Sequence, residues 1–509
     1  MNVGSFLDFS AARFPDKTAL VFKDTRLTYR QLRKRVLRLS SALGRLGLEK
    51  GDRVATVMWN CREMLEIYLA AVTVGALFTP LNFRASPKEL AFLLADSEPS
   101  VLFVDEKCRE AVLAAITDPR LFERLYGTSP SSPDLKLYEN LIESSSLMDH
   151  AVSVSGNDPC QLLYTSGTTG RPKGVLLSHD NVCWNSVNIG AARQDRESDV
   201  VYVVGPLFHS AALNSICTAR LSRGTTIILH ERFDLQYLME DIEREKITFI
   251  SAPPTVFMML MENCRPGDYD TSSVTSITSG GDALGVTAQQ ALREYFPNFK
   301  GIHNIYGLTE GGPNLTCLPA EQSMAKCGSI GLPLPFLKLK LFDDQDNEVP
   351  KGQIGEIVVQ GPNVMKGYYH QPEATAEVLR NGWLHTGDCA WEDEEGFLFL
   401  SHRKKDIIVS GAENISSREV EEVLAKHPDI FRAACFAAPD AKWGERVVAA
   451  IIPRGKREPT LDEIREHCRK DLAGYKLPKE IMVVEEFPET GLGKVKKFEL
   501  KKMYLAGRK

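Results

Sequence analysis

The chain has 509 residues, 43% of them hydrophobic and 25% charged, with a formal net charge of −6 and a pI of about 6.0. That length exceeds one hydrophobic core and implies about two to four domains. The composition is that of a globular protein, and it excludes a fibrous, disordered or generally nucleic-acid-binding chain.

Charge is unevenly placed. From Lys405 onward 21 basic residues face 18 acidic ones, so the tail region is positive and the body negative. The eleven cysteines are scattered, with no Cys-x-x-Cys pair and no histidines at zinc-ligand spacing. A disulfide framework and a structural zinc are therefore not expected, and a reduced, cytoplasmic setting is. The first twenty residues carry Asp8, Arg13, Asp16 and Lys17 and lack the apolar stretch of a signal peptide. The longest apolar run, 67–78, is too short to span a bilayer, which leaves peripheral membrane contact open.

Taken in order, Thr28 to Gln31 form a capping box ahead of Leu32, Val36, Leu39, Leu43 and Leu46 at helical spacing. A strand is expected at 54–58, a helix at 63–74, a helix at 87–95 and a strand at 101–104. This alternation predicts a mostly parallel sheet. Residues 127–134, Gly-Thr-Ser-Pro-Ser-Ser-Pro-Asp, read as a linker closing a first α/β region over 1–150.

The stretch from Tyr164 to Gly174 is the most informative in the chain. Thr165, Ser166, Gly167, Thr168, Thr169, Gly170, Arg171, Pro172 and Lys173 stand between two apolar runs, and so on a loop between two strands. Glycines allow close backbone approach, hydroxyls and amides donate to oxygen, and two cations supply charge. The expected guest is a phosphate. It is not a Walker loop, because Gly174 follows Lys173 where Ser or Thr would bind magnesium.

Beyond the cradle a second α/β region, 151–327, is expected, with strands at 201–204, 225–229, 249–252 and 274–279. Their carboxyl ends run into Pro206 to Ser210, Ser251 to Pro254, and the turn Gly280, Gly281, Asp282, which is where crevices open in such sheets. From Gly328 the pattern turns to short strands with turn signals, a β-rich subdomain over 328–404. Residues 405–509 then form a separate α+β domain. Asn304, Tyr306, Gly307, Thr309 and Glu310 place a ring, a hydroxyl and a hard oxygen ligand for Mg²⁺ in one strand-to-loop segment. Asp388 follows Gly387 as an acceptor for ribose hydroxyls, Arg403 sits in a charge run, and Lys494 sits on a glycine-flanked loop.

This ordered set resembles the acyl-adenylate-forming superfamily of acyl-CoA synthetases, luciferases and peptide-synthetase adenylation domains, over essentially the whole chain. The resemblance implies a large domain over 1–404 and a mobile C-terminal domain. It implies ATP, Mg²⁺ and coenzyme A, with a small carboxylic acid as substrate, and a monomer or homodimer. By the family pattern the 165–173 loop holds the β- and γ-phosphates, and Thr165 and Glu310 support Mg²⁺. Tyr306 and the Gly280-Gly281-Asp282 turn hold adenine, and Asp388 with Arg403 holds ribose. Lys494 bridges carboxylate and phosphate, and Lys405 is the hinge about which the small domain turns. Gly411, Ala412, Glu413 and Trp443 would then face the pantetheine arm. Ala412 stands where the family usually has glycine, Ser401 and His402 precede Arg403, and Ser416 and Ser417 replace an aromatic-proline pair.

An amino-acid-activating domain would carry an Asp near Phe208, and none is present. His209 resembles the aromatic gate of ligases for apolar acids. Small residues at Ala211, Ala212, Gly280, Gly281, Gly307, Gly311 and Gly312 would leave room for a tail. The expected activity is an ATP-dependent carboxylate–CoA ligase for a medium- or long-chain fatty acid. Alternatives are an aryl or alicyclic acid, a carrier-protein acceptor, and a non-catalytic nucleotide-binding regulator.

Overall fold

The computed structural model describes residues 2–129, 135–147, 152–165, 172–280, 284–403, 407–410, 413–440, 443–489 and 495–507. The chain divides into two compact units. One holds Met1–Leu339 with Val359–Leu384, and the other holds Lys340–Val358 with His385–Lys509.

The first unit contains two sheets. One runs in the order Gly367–Tyr368, Lys173–Ser178, Pro159–Thr165, Leu77–Leu81, Arg53–Val57, Val101–Val104, Leu125–Gly127, Lys136–Leu137. It is parallel from Pro159–Thr165 outward, and its strands are near-continuous apolar runs because helices cover them. The other places Ile302–Tyr306, Ser276–Gly280, Phe249–Ser251, Val200–Val203, Thr226–Leu229 and Thr18–Phe22 side by side and parallel. Tyr68, Phe78, Phe103 and Leu163 lie in one continuous buried core.

The helices follow their sequence signals. Tyr29–Arg45 starts on the expected capping box, in which Gln31 N donates to Thr28 Oγ1 at 3.2 Å and Thr28 N to Gln31 Oε1 at 2.8 Å. The strand and helix boundaries expected from periodicity over 54–104 and 201–279 fall within about two residues of those found, the usual uncertainty of fraying ends.

In the second unit Leu384–Glu392 pairs antiparallel with Leu398–Arg403. A further sheet joins Ile407–Ser410, Glu413–Ser416, Ile430–Asp440, Gly444–Pro453 and Glu480–Val483. The helices Ser417–Leu424 and Leu461–Cys468 pack on it through Val420, Leu424, Ile464 and Cys468. Among the described residues no helix is long and apolar enough to cross a membrane.

Candidate active site

The stretch expected to cradle a phosphate is flanked by two paired strands. Pro159–Thr165 and Lys173–Ser178 pair antiparallel with Tyr164 opposite Gly174 and Thr165 opposite Lys173, so Thr165 and Lys173 stand at the two feet of the loop. Ser166, Gly167, Thr168, Thr169 and Gly170 lie outside the described residues. Thr165 Oγ1 donates to Lys173 O at 3.5 Å, closing the base. Tyr164 reaches away and donates to Asp96 Oδ2 at 2.6 Å, anchoring the strand.

A short segment stitches this hairpin to the Glu310 turn. Gly367–Tyr368 adds as an edge strand to Lys173–Ser178, and Tyr369 N donates to Gly174 O at 2.7 Å. Met365 N donates to Glu310 O at 2.9 Å. The Tyr368 hydroxyl donates to Glu310 Oε1 at 2.9 Å, while Lys173 Nζ sits 4.7 Å from the centre of the Tyr368 ring. One tyrosine thus holds a carboxylate with its tip and a cation with its face. Burial, and then the Glu310 carboxylate, raise the Tyr368 phenol far above its ordinary range, so it remains a donor. Sequence reasoning missed Tyr368, since a two-residue strand has no periodicity to find.

Glu310 lies in the turn Thr309–Gly311 that follows the strand Ile302–Tyr306. Thr309 Oγ1 and Ser210 Oγ share a hydrogen bond at 2.9 Å, which brings the 206–210 loop to the same place. Asn304 Nδ2 donates to Ser329 O at 2.7 Å, and Tyr306 is buried. Glycine at Gly307 and Gly312 has a backbone reason. A Cβ at Gly307 would lie 1.8 Å from Pro313 O, and Gly312 has φ +93° with a Cβ position 2.6 Å from Asn363 O. Their small size is thus set by chain packing as well as by any need for tail room.

His209 lies tilted against Phe208 at 4.2 Å between ring centres, and Phe208 meets Phe83 edge-on at 5.4 Å. Burial, and then Arg84, lower the His209 imidazole to about 4, so it is neutral at physiological pH. Its buried Nε2 has no hydrogen-bond partner among the described residues. Ala211, exposed, opens a π-helix, Ala211–Thr218, whose other residues are buried. Such a helix is frequent at functional sites.

In the second unit Asp388 lies directly opposite Arg403 in the antiparallel ladder. Its turn is fixed from behind: Gly387, at φ +73°, donates its N–H to Glu356 Oε1 at 2.9 Å, and Asp388 N donates to Thr386 Oγ1 at 3.1 Å. Trp443 and Tyr475 are both exposed, and Lys479 Nζ sits 5.4 Å from the Trp443 ring centre. An aromatic face beside lysines suits a nucleotide's base and phosphates. Gly281, Asp282, Lys405, Gly411, Ala412 and Lys494 lie outside the described residues. Gly280, Arg403 and Glu413 are described by backbone alone.

The first unit thus holds the hairpin, the Glu310 turn and the buried His209 imidazole, and the second unit holds the Asp388–Arg403 ladder pair. The family profile of the AMP-binding enzyme matches residues 7–369, and that of the AMP-binding enzyme C-terminal domain matches residues 419–494. The chain belongs to the AMP-binding enzyme family. It is similar to feruloyl-CoA synthase of Amycolatopsis sp, 38% identical over 507 residues with 99% of each chain covered. It is similar to indoleacetate–CoA ligase of Aromatoleum aromaticum, 36% identical with 99% of this chain and 98% of the other covered. Long-chain-fatty-acid–CoA ligase of Bacillus subtilis is 33% identical, with 96% and 92% covered. Among solved structures, o-succinylbenzoate CoA synthetase of Bacillus subtilis in complex with its acyl-adenylate superposes with a TM-score of 0.86 at 30% identity, covering 97% of both chains. The protein is accordingly an adenylate-forming acid–thiol ligase that uses a carboxylic acid, ATP and CoA. Of these relatives, those of higher identity are named for aryl acids and the one named for a fatty acid is of lower identity. Small pocket residues admit a flat ring as readily as a flexible tail, so residue size alone did not separate the two.

Proposed function

We infer that the protein activates an aryl or arylalkyl carboxylate, first as its acyl-adenylate and then as its CoA thioester. The observation that carries the acid class is end-to-end similarity to two ligases named for aryl acids, at 38% and 36% identity. The Phe83, Phe208 and His209 cluster supports it. Edge and face contacts suit a ring, and the neutral imidazole with an unpartnered nitrogen offers a hydrogen bond to a ring substituent.

In the first step a carboxylate oxygen attacks the α-phosphorus, the bond to the bridging oxygen breaks, and pyrophosphate leaves. Two anions approach, so the site must neutralise charge before bond formation. Lys173 and the 166–171 loop hold the β- and γ-phosphates, and Tyr306 with the 280–282 turn, and with Asn304, Gly307 and Thr309 beside it, holds adenine. Asp388 and Arg403 hold ribose, and Lys494 bridges carboxylate and α-phosphate. The donors fit Mg²⁺: Glu310 keeps one carboxylate oxygen free of described hydrogen-bond partners, and Thr165 adds a hydroxyl. Among the described residues no cluster of three His, Cys, Asp or Glu forms a protein cage, which suits an ion held mainly by phosphate oxygens. When bound, Mg²⁺ supplies neutralisation of phosphate charge. In the second step the CoA sulfur attacks the acyl carbonyl and AMP leaves. Lys405 is the pivot between the steps, and Gly411, Ala412, Glu413 and Trp443 receive the CoA arm.

The test is pyrophosphate release with ATP and Mg²⁺ across hydroxycinnamic, arylacetic, benzoic and medium- and long-chain fatty acids, with and without CoA, and with the thioester identified by mass. An aryl acid should exceed every fatty acid by about tenfold or more in kcat/KM, a difference of about 1.4 kcal/mol. A fatty acid at the top would overturn the acid class. Pyrophosphate without thioester would overturn CoA as acceptor.

A further inference from the structure

The helix His179–Ala192 follows immediately after the strand that begins at Lys173. It carries Asn181, Asn185 and Asn188, spaced four and three and therefore on one face. All three are buried among apolar neighbours such as Val182, Cys183 and Ile189. Buried amides require partners, and these three find them in the 312–315 and 361–366 loops and in the π-helix, with Asn188 Oδ1 alone left without one among the described residues.

Asn185 Oδ1 accepts from Asn314 N at 3.2 Å and from Asn314 Nδ2 at 3.0 Å, four residues beyond Glu310. Its Nδ2 donates to Asn214 O at 3.5 Å, inside the π-helix. Asn214 in turn exchanges two amide hydrogen bonds with Gln161 of the hairpin strand, at 2.7 and 2.8 Å. On the other side Asn188 Nδ2 donates to Asn363 Oδ1 at 2.9 Å, and Asn363 Nδ2 donates to Asn314 O at 3.2 Å. Asn181 Nδ2 grips Pro362 O and Val364 O, each at 2.8 Å. The segment so held runs straight on to Met365 and Tyr368, the two residues that bond Glu310.

The chain of amides therefore links four parts of the first unit: the strand Pro159–Thr165 of the hairpin, the helix after His209, the segment that follows the Glu310 turn, and the segment that leads to Tyr368. Apolar side chains would fill the same space without needing partners, so stability does not call for this arrangement. What a connected buried network adds is a unique geometry. We propose that the amide network centred on Asn185 is a positioning device that sets the Glu310 turn against the wall of the acid pocket, coupling Mg²⁺-ATP binding to acid binding. It rests on the reading above, in which Glu310 serves Mg²⁺ and His209, with Ala211 and Ala212 at the start of the 211–218 helix, borders the acid site. Asn185 touches neither substrate, and it acts through Asn314 and Asn214.

The experiment compares wild type with Asn185→Leu, which keeps the branching at Cγ and removes both polar atoms, in three readings: thermal midpoint, calorimetric affinity for ATP with Mg²⁺, and acid-dependent pyrophosphate release. In Asn185→Leu protein that is folded at the assay temperature, ATP affinity with Mg²⁺ should fall about tenfold, kcat for adenylation should fall further, and the gain in ATP affinity on adding acid should shrink. Thiolation of supplied acyl-adenylate should hold. Asn363→Ser, which cuts the link to the Tyr368 strap and keeps a hydroxyl, should give a smaller loss in the same readings and serves if Asn185→Leu does not fold. Folded variants with a lowered midpoint and unchanged ATP affinity, kcat and acid coupling would overturn the proposal and leave the network a packing feature. Failure of the wild type itself to bind ATP with Mg²⁺ or to release pyrophosphate with any acid would overturn the functional reading instead.

Discussion

Tyr368 shows how much one side chain can settle. Its ring lies under Lys173 and its hydroxyl reaches Glu310, so it keeps a cation and an anion of the site at fixed places without letting them neutralise each other. Tyr368→Phe removes the hydroxyl and keeps the ring. A hydrogen bond to a charged group contributes about 1.5–3 kcal/mol, so Mg²⁺-ATP kcat/KM should fall about 10- to 100-fold with little change in the acid KM. Steady-state pyrophosphate release at varied Mg²⁺ checks it, and an unchanged Mg²⁺ dependence would mean that Glu310 needs no such support. His209 supports a second prediction. Its folded-state value of about 4 lies below the ordinary 6.5, so between those values the unfolded chain binds the extra proton and stability rises with pH. Its contribution is fully present above about 6.5 and is lost as pH falls toward 4. At pH 5 the loss relative to neutral pH is about 2 kcal/mol. Urea unfolding at pH 7.5 and 5.0 should show a drop smaller by about that amount in His209→Gln than in wild type. Equal drops would place the imidazole in contact with water.

At the scale of elements, legibility followed how local the cause was. The phosphate hairpin could be read because Gly, Ser, Thr, Lys and Pro had no other reason to crowd between two apolar runs, and the strands duly pair Thr165 with Lys173. The capping box at Thr28 could be read because its two bonds join residues three apart. The helix His179–Ala192 was not among the elements expected from the sequence. Its three asparagines looked like ordinary polar positions, since their partners lie up to 183 positions away. The π-helix after His209 was not legible, because its extra residue per turn is held by tertiary packing and leaves no periodic mark. Gly307 and Gly312 were legible as small and not as constrained, for the atoms that exclude a Cβ belong to Pro313 and Asn363. The acid class was least legible of all. It depends on the shape of a cavity built from several loops, and composition of those loops constrains volume better than shape.

At the scale of the whole molecule the residues of the proposed machinery are divided between the two units. The phosphate hairpin, Glu310, Tyr368 and His209 belong to the first unit, whereas Asp388, Arg403, the Trp443 face and Lys494 fall in the segments of the second. Division of this kind lets one set of groups be exchanged for another between two chemical steps, which a single rigid core cannot do. In the function proposed above, Lys494 has work only in the first step, where a carboxylate must meet a phosphate and one cation between them removes the repulsion. In the second step the nucleophile is a sulfur and the leaving group is AMP, so a cation bridging carboxylate and phosphate has nothing left to bridge. Lys494→Ala should therefore lower adenylation by about 100-fold or more, the scale of losing one preorganised electrostatic contact. Thioester formation from supplied acyl-adenylate and CoA should stay within a few-fold of wild type. Both rates are read on the same preparation, pyrophosphate release for the first and thioester by mass for the second. Equal losses in the two would mean that Lys494 holds the fold of the second unit or the AMP moiety common to both steps, and the division of labour between the units would have to be redrawn.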